Sequence, residues 1–249
     1  MFYKVDQLLS RILPRACVLC GLTAGSRNLC AGCSADLPWI VSGCERCGAP
    51  LPAGLSTGCC ARCDVATGGI DRIVAALAYQ YPVDRLIAGA KFRSRPEFAR
   101  AVGEALAGAL IRLLARTHAV RPDPGIPDLV IPVPLHPARL GQRGFNQAAD
   151  IAMPVCCALG LRLDDQVCRR SLNTPPQTGL PAAGRRANLR GAFAVRRRLD
   201  GLRVAIVDDV VTTGSTVSTL AGCLRDAGAR QVVVWAAARV VANQPLWKV

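Results

Sequence analysis

Thirteen cysteines are spread very unevenly along these 249 residues, and nine of them fall between Cys17 and Cys63. That stretch contains four C-x-x-C pairs: Cys17/Cys20, Cys30/Cys33, Cys44/Cys47 and Cys60/Cys63. A two-residue gap lets both thiolates of a tight knuckle face one ion, and two such knuckles complete a tetrahedron. Eight ligands therefore predict two structural Zn2+ ions. Four disulfides are the competing arrangement. They are disfavoured because Lys4, Asp6 and Arg11 interrupt the N-terminus, which lacks the apolar core of a secretory leader, so the chain is expected to be cytoplasmic with reduced thiols. Spacing leaves the pairing open: neighbouring pairs are close enough to form two successive ribbons, and Cys17/Cys20 with Cys44/Cys47 is the interleaved alternative. Cys59 adjoins Cys60, and only Cys60 restores the x-x spacing to Cys63. Cys156, Cys157, Cys168 and Cys223 read as small buried apolar residues.

The composition changes after Thr67-Gly68-Gly69. Residues 1–66 form one expected domain, in which Phe2, Val5, Leu8, Leu9 and Ile12 lie on one face of a short helix ahead of the cysteines. Residues 67–249 form the second. There, apolar runs at Ile73–Tyr79, Leu129–Val133, Leu161–Leu163, Ala192–Val195, Val204–Val207 and Val232–Ala236 predict strands. Helices are expected over Glu97–Ala115, Asn146–Leu159 and Ser215–Ala227. Alternation of this kind points to an α/β fold with a mainly parallel sheet. Arg169 to Gly191 is rich in Pro, Gly, Thr and Arg, a length of irregular chain that is usually functional or disordered. A 51% apolar composition excludes wholesale disorder, and charges or prolines break every apolar run before the roughly 18 residues a membrane span needs.

Val204-Ala205-Ile206-Val207 reads as a buried parallel strand, followed by Asp208-Asp209 and then by Val210-Val211-Thr212-Thr213-Gly214-Ser215-Thr216. Open α/β sheets bind ligands at the carboxyl ends of their strands. The N–H groups of a helix start, together with several hydroxyls, cradle a phosphate, and two adjacent carboxylates suit a ribose diol or a hydrated Mg2+ ion. Helix capping by Thr212, Thr213 or Ser215 accounts for one hydroxyl and for neither acid. No lysine follows Gly214, which excludes a nucleotide-triphosphate loop.

Residues Val204 to Thr216 resemble the phosphoribosyl pyrophosphate signature of type I phosphoribosyltransferases. Val130-Ile131-Pro132-Val133-Pro134-Leu135, Arg139, Arg143-Gly144-Phe145-Asn146-Gln147, Thr174 through Gln177, Arg185, Asn188, Ala192-Phe193 and the eight paired cysteines together resemble the ComF competence-protein family. The resemblance implies a type I phosphoribosyltransferase-like, mainly parallel sheet flanked by helices, behind a small N-terminal double zinc ribbon. It also implies that Asp208 and Asp209 contact ribose hydroxyls and the Mg2+ shell, and that Thr212, Thr213, Gly214, Ser215 and Thr216 hold the 5-phosphate. Pro134 to Arg143 becomes the pyrophosphate loop, with Arg139 and Arg143 as its charges. Arg169 to Gly191 becomes a mobile hood, with Gln177 and Arg185 as its functional residues; Arg185 joins the two aspartates as a catalytic candidate. Lys91-Phe92 matches a family pair, yet a solvated lysine is the default reading of Lys91. His136 is expected to be a polar loop residue rather than a general acid.

The implied ligand is phosphoribosyl pyrophosphate with Mg2+, and the implied reaction is transfer of phosphoribosyl to a nitrogen nucleophile. The rival is a non-catalytic protein of DNA uptake that binds single-stranded DNA, or a DNA-uptake partner protein, and uses the pocket as a sensor. Of 31 basic residues, 28 are arginine, giving a net charge of +14. The excess lies in the second domain, with Arg185, Arg186, Arg190, Arg196, Arg197 and Arg198 forming a run free of acids. This is the expected phosphate-binding patch for DNA.

Overall fold

The computed structural model describes residues 14–52, 54, 58–60, 68–92, 95–118, 125–172 and 191–240. The expected helix before Leu13 lies outside these residues, as do Cys63, Gln177 and Arg185.

Four apolar runs pair side by side because each is flanked by enough helix to cover both faces. β3 (Arg72–Ala78), β4 (Leu129–Pro132), β7 (Arg203–Val211) and β8 (Gln231–Arg239) form one sheet in the order β3-β8-β7-β4, with every pairing parallel. On one face lie α2 (Val83–Phe92), α3 (Pro96–His118) and α5 (Gln147–Leu159), packed on Val130, Ala205, Val207 and Ala237. On the other lies α6 (Ser215–Asp226), packed with Ile131, Ile206 and Val234. Burying a Leu or Ile side chain contributes about 1.5–3 kcal/mol, so the two clusters supply the main stabilisation. α3 and α5 touch closely because residue 103 is glycine: a Cβ there would stand 2.5 Å from the Ile151 carbonyl oxygen.

β7 does not stop at Val207 as its apolar run suggests. The ladder continues through Asp208↔Ala236 to Val211↔Arg239, so both acids lie within the strand. Two other strands are corrected. Leu161–Leu163 is reduced to a single bridge between Leu163 and Val130 at the outer side of β4. The run at Ala192–Val195 contributes β6 (Phe193–Val195), which pairs antiparallel with β5 (Cys168–Arg170) outside the main sheet. The expected hood joins β5 to β6, and its residues 173–190 are outside the described set. The expected pyrophosphate loop carries a short helix, α4 (Pro137–Arg143), capped by His136 at its start and by Gly144 in the left-handed region (φ 77°) at its end.

Ahead of the sheet, β1 (Arg15–Ala16) and β2 (Thr23–Gly25) form an antiparallel pair, followed by α1 (Ala31–Ala35). This cysteine module is docked on the α/β body. Leu29 and Leu37 join the helical core, the Ile40 N–H donates to the Ala76 carbonyl (2.9 Å), and Ile73 N–H donates to the Arg46 carbonyl (3.1 Å). No helix among the described residues is long and apolar enough to cross a membrane.

Candidate functional site

The cysteines gather by sequence neighbourhood. The sulfurs of Cys17, Cys20, Cys30 and Cys33 lie within 4.8 Å of one another, as do those of Cys44, Cys47 and Cys60. Two successive ribbons are thus formed, and the interleaved pairing is not. Cys59 is exposed and belongs to neither cluster. A tetrahedral site with Zn–S of about 2.3 Å places its sulfurs about 3.8 Å apart. Cys20 and Cys30 are separated by 3.7 Å, and Cys47 and Cys60 by 3.5 Å, so the donor sets fit zinc. At Cys17 burial acts to raise the pKa, but backbone N–H groups, including those of Cys20 and Cys30, outweigh it and hold the thiol down at about 6. Of the four scattered cysteines, Cys156 and Cys168 are buried as expected, Cys223 is half-buried and Cys157 is exposed.

The residues expected to bind phosphate gather at the carboxyl end of β7. Successive residues of a strand face opposite sides of the sheet, and the two acids follow that rule. Asp209 is buried on the α2/α5 side, where Lys91 from the last turn of α2 pairs with its Oδ2 at 2.9 Å and the Gln147 side-chain amide donates to it at 3.2 Å. Arg143 in turn donates to Gln147 Oε1 at 3.0 Å. Asp208 faces the β5/β6 side, where the charge of Arg170 reaches it. Burial, and then the neighbouring charge of Asp209, push the Asp208 carboxyl well above the usual carboxylate range, against the pull of Lys91 and the Asp209 N–H. Arg170 is buried against the Phe193 ring and feels both Asp208 and Arg139. Lys91, Arg143 and Arg170 thus face the two aspartates, and Arg139 lies near Arg143 and Arg170.

Beyond Val211 the chain turns through Thr212, Thr213 and Gly214 into α6. The N-cap is Gly214 itself (φ 78°), which has no side chain to cap with, and the Ser215 N–H donates to Thr213 Oγ1 at a long 3.5 Å. Thr213 Oγ1 also lies 2.8 Å from Ser215 Oγ. Capping thus engages one hydroxyl weakly, and Thr212 to Val217 with Asp208 line a hollow of about 30 Å3. A larger cavity of about 1030 Å3 lies between the cysteine module and α3, and holds none of the expected phosphate-binding residues. The His136 Nδ1 accepts the Ala138 N–H at 3.2 Å, which makes it a helix cap.

Four parts of this site differ from the sequence expectation. Lys91 is not a solvated lysine but the counter-ion of Asp209. Arg170 falls within Arg169 to Gly191, which reads as irregular in sequence, but it lies in β5 opposite Phe193 of β6. Arg239 ends β8 and had no expected role. The arginine run is not free of acids in space, because Arg197 pairs with Asp164 at 3.2 Å and Arg198 with Asp200 at 2.7 Å.

Comparison with known proteins places these features in context. The model of the double zinc ribbon domain matches residues 8–64. A phosphoribosylpyrophosphate glutamine amidotransferase from B. subtilis overlaps at 23% identity with a TM-score of 0.38, over 60% of this chain and 30% of that one. The DNA utilization protein YhgH of Salmonella typhi is 36% identical over 92% of this chain and 99% of its own length. Competence protein F of Haemophilus influenzae is 32% identical over 90% of this chain and 96% of its own. With double-ribbon cysteines, a parallel α/β body and near end-to-end similarity to these relatives, the chain belongs to the competence protein F (ComF) family.

Proposed function

We propose that this protein binds phosphoribosyl pyrophosphate with Mg2+ at the end of β7 and transfers its phosphoribosyl group to a nitrogen nucleophile. The observation that carries this reading is the juxtaposition of a glycine-capped helix start, lined by Thr212 to Thr216, with a diacid that faces Lys91, Arg143 and Arg170. The N–H groups and hydroxyls of Thr212, Thr213, Gly214, Ser215 and Thr216 suit the 5-phosphate. Asp208 and Asp209 suit the ribose hydroxyls. Arg139 and Arg143 suit the pyrophosphate, and Arg170 adds a charge on the opposite side. Mg2+ fits the donor set because Asp208 is a carboxylate crowded by burial and a like charge, which a cation relieves; bound there, it would supply charge neutralisation for the departing pyrophosphate. The nitrogen lone pair attacks the anomeric carbon as the bond to the pyrophosphate oxygen breaks, with both electrons leaving on that oxygen. Orientation and fixed positive charge would carry the rate. Gln177 and Arg185, on the segment between β5 and β6, are the proposed hood residues.

Similarity to a DNA utilization protein and to competence protein F favours a second reading, in which the same pocket acts as a ligand sensor in a protein that handles single-stranded DNA without turnover. Release of pyrophosphate on addition of nitrogen nucleophiles distinguishes the two.

Calorimetric titration of phosphoribosyl pyrophosphate into Asp208→Asn/Asp209→Asn tests the shared core of both readings. Hydrogen bonds to charged groups contribute roughly 1.5–3 kcal/mol each, so affinity should fall about a hundredfold or more. Asp208 has a folded pKa above its unfolded one, which favours folding below the ordinary carboxylate range and is lost as pH rises. Asp208→Asn alone, which leaves the Lys91–Asp209 pair in place, should therefore melt at least as high as wild type at pH 7 without ligand, and the advantage should shrink toward pH 4. Unchanged affinity in a folded variant overturns the site.

A further inference from the structure

We infer that zinc occupancy of the second cysteine cluster sets the phosphate loop, with Arg239 as the positioning residue that links them. This deepens the proposed ligand reading by assigning its regulation.

Arg239 is the last residue of β8 and is 9% exposed. Among the described residues no carboxylate pairs with it. Its guanidinium is satisfied by backbone carbonyls from two places. Nε donates to the Cys47 carbonyl at 3.0 Å, and Nη1 donates to the carbonyls of Val211 (2.9 Å), Val240 (3.1 Å) and Thr212. One side of the fork thus grips the second zinc knuckle, and the other grips the first peptides of the phosphate loop. Peptide units are planar and trans, so a carbonyl held toward Arg239 turns the N–H of the next residue the opposite way. Holding Val211 and Thr212 in this manner fixes the N–H directions of Thr212 and Thr213, both of which line the hollow.

The knuckle is equally constrained from the other side. The Arg46 carbonyl accepts the Ile73 N–H, and a Cβ on Gly48 would meet the Ile73 carbonyl oxygen at 3.0 Å. Three successive residues of the knuckle, Arg46, Cys47 and Gly48, therefore rest on the α/β body. Metal binding supplies the folding energy of such a knuckle. Loss of zinc would release the Cys47 carbonyl and leave a buried guanidinium one acceptor short, next to the loop. A planar fork is needed to serve both directions at once, which a lysine ammonium does not reproduce. Coupling between sites is reciprocal, so a ligand in the loop must in turn tighten zinc in the second cluster.

Zinc release from the wild-type two-zinc protein to a colorimetric chelator, with and without Mg2+ and phosphoribosyl pyrophosphate, reads the coupling without any substitution. One of the two ions should leave at least fivefold more slowly with ligand, the low end of common coupling factors. Arg239→Lys should retain both ions at rest and lose this ligand effect. Hydrogen exchange without ligand gives an independent reading: amides of 212–216 should exchange at least fivefold faster in Arg239→Lys and in Cys44→Ser, and unchanged in Cys17→Ser. If calorimetry shows no ligand binding, the proposed function fails while the exchange arm still decides the coupling. Ligand binding with equal release of both ions, or equal loop exchange in Cys44→Ser and Cys17→Ser, overturns the inference.

Discussion

The knuckles Cys17–Gly21 and Cys44–Gly48 are one local structure used in two ways. In each, the N–H of the first cysteine donates to the residue after the glycine, at 2.7 Å to Leu22 and 2.7 Å to Ala49. In each, the glycine N–H returns to the carbonyl of the first cysteine, at 2.8 Å from Gly21 and 2.9 Å from Gly48. Both glycines hold positive φ, 78° and 68°. Their glycines have different surroundings. A Cβ on Gly21 would meet nothing within 4 Å, whereas one on Gly48 would press on the Ile73 backbone. The first knuckle packs Cys17, Val18 and Leu19 against the helical core, and its ribbon is tied to α3 through Asn28, whose N–H and side-chain amide donate to Glu104 at 3.0 and 2.7 Å. The same metal-binding hairpin thus serves once as a tip that packs on the helical core and leaves its glycine free, and once as a wedge between a sheet edge and the loop after β7. Metal chemistry dictates the hairpin, and the neighbours dictate its use.

The strongest way to break this comparison is to remove the metal from one ribbon. Cys60→Ser should lower zinc from two ions to one per chain, with loss of most of the local folding energy, since structural zinc sites are worth about 10–16 kcal/mol of apparent binding. Cys59→Ser should retain both ions and melt as wild type; metal analysis with a thermal melt reads both. Next in size, Gly48→Ala should destabilise by about 2–4 kcal/mol in urea, from left-handed strain plus overpacking. Gly21→Ala should show the strain alone, about 1–2 kcal/mol. Equal values would erase the distinction between wedge and tip. The smallest effect is at the attachment of the first ribbon. Burial pushes the Glu104 carboxyl above its ordinary range while the Asn28 donors oppose that shift. Asn28→Ala should therefore raise the Glu104 pKa further and cost about 1–3 kcal/mol at pH 7. Because the lost donor serves the charged form, the deficit should fade as pH falls through the Glu104 pKa, which denaturation at pH 7 and pH 4.5 measures.

Much of this was legible in sequence because it depends on near neighbours. Cysteine spacing determined the knuckles, and the apolar runs at residues 73–79, 129–133, 204–207 and 232–236 located all four main strands. The short helix α4 was missed although its punctuation was present: Pro137 at the first turn, His136 before it and Gly144 after it. The residues that complete the site were hidden for a different reason. Lys91 and Asp209 are far apart in the chain, and only the packing of α2 beside β7 brings them together. Arg239 ends an apolar run and so reads as a strand terminator, when the ladder carries it alongside Val211. Asp164 likewise neutralises part of an arginine run that the local sequence presents as unopposed.

The contact between Arg239 and Cys47 joins positions 192 residues apart. On a ribosome adding 5–20 residues per second, the second knuckle emerges roughly 10–40 s before the strand end that clamps it. The ribbon is therefore available to acquire metal while its seat is still being synthesised. A newly made chain closes the clamp on Thr212 against a knuckle synthesised well before it.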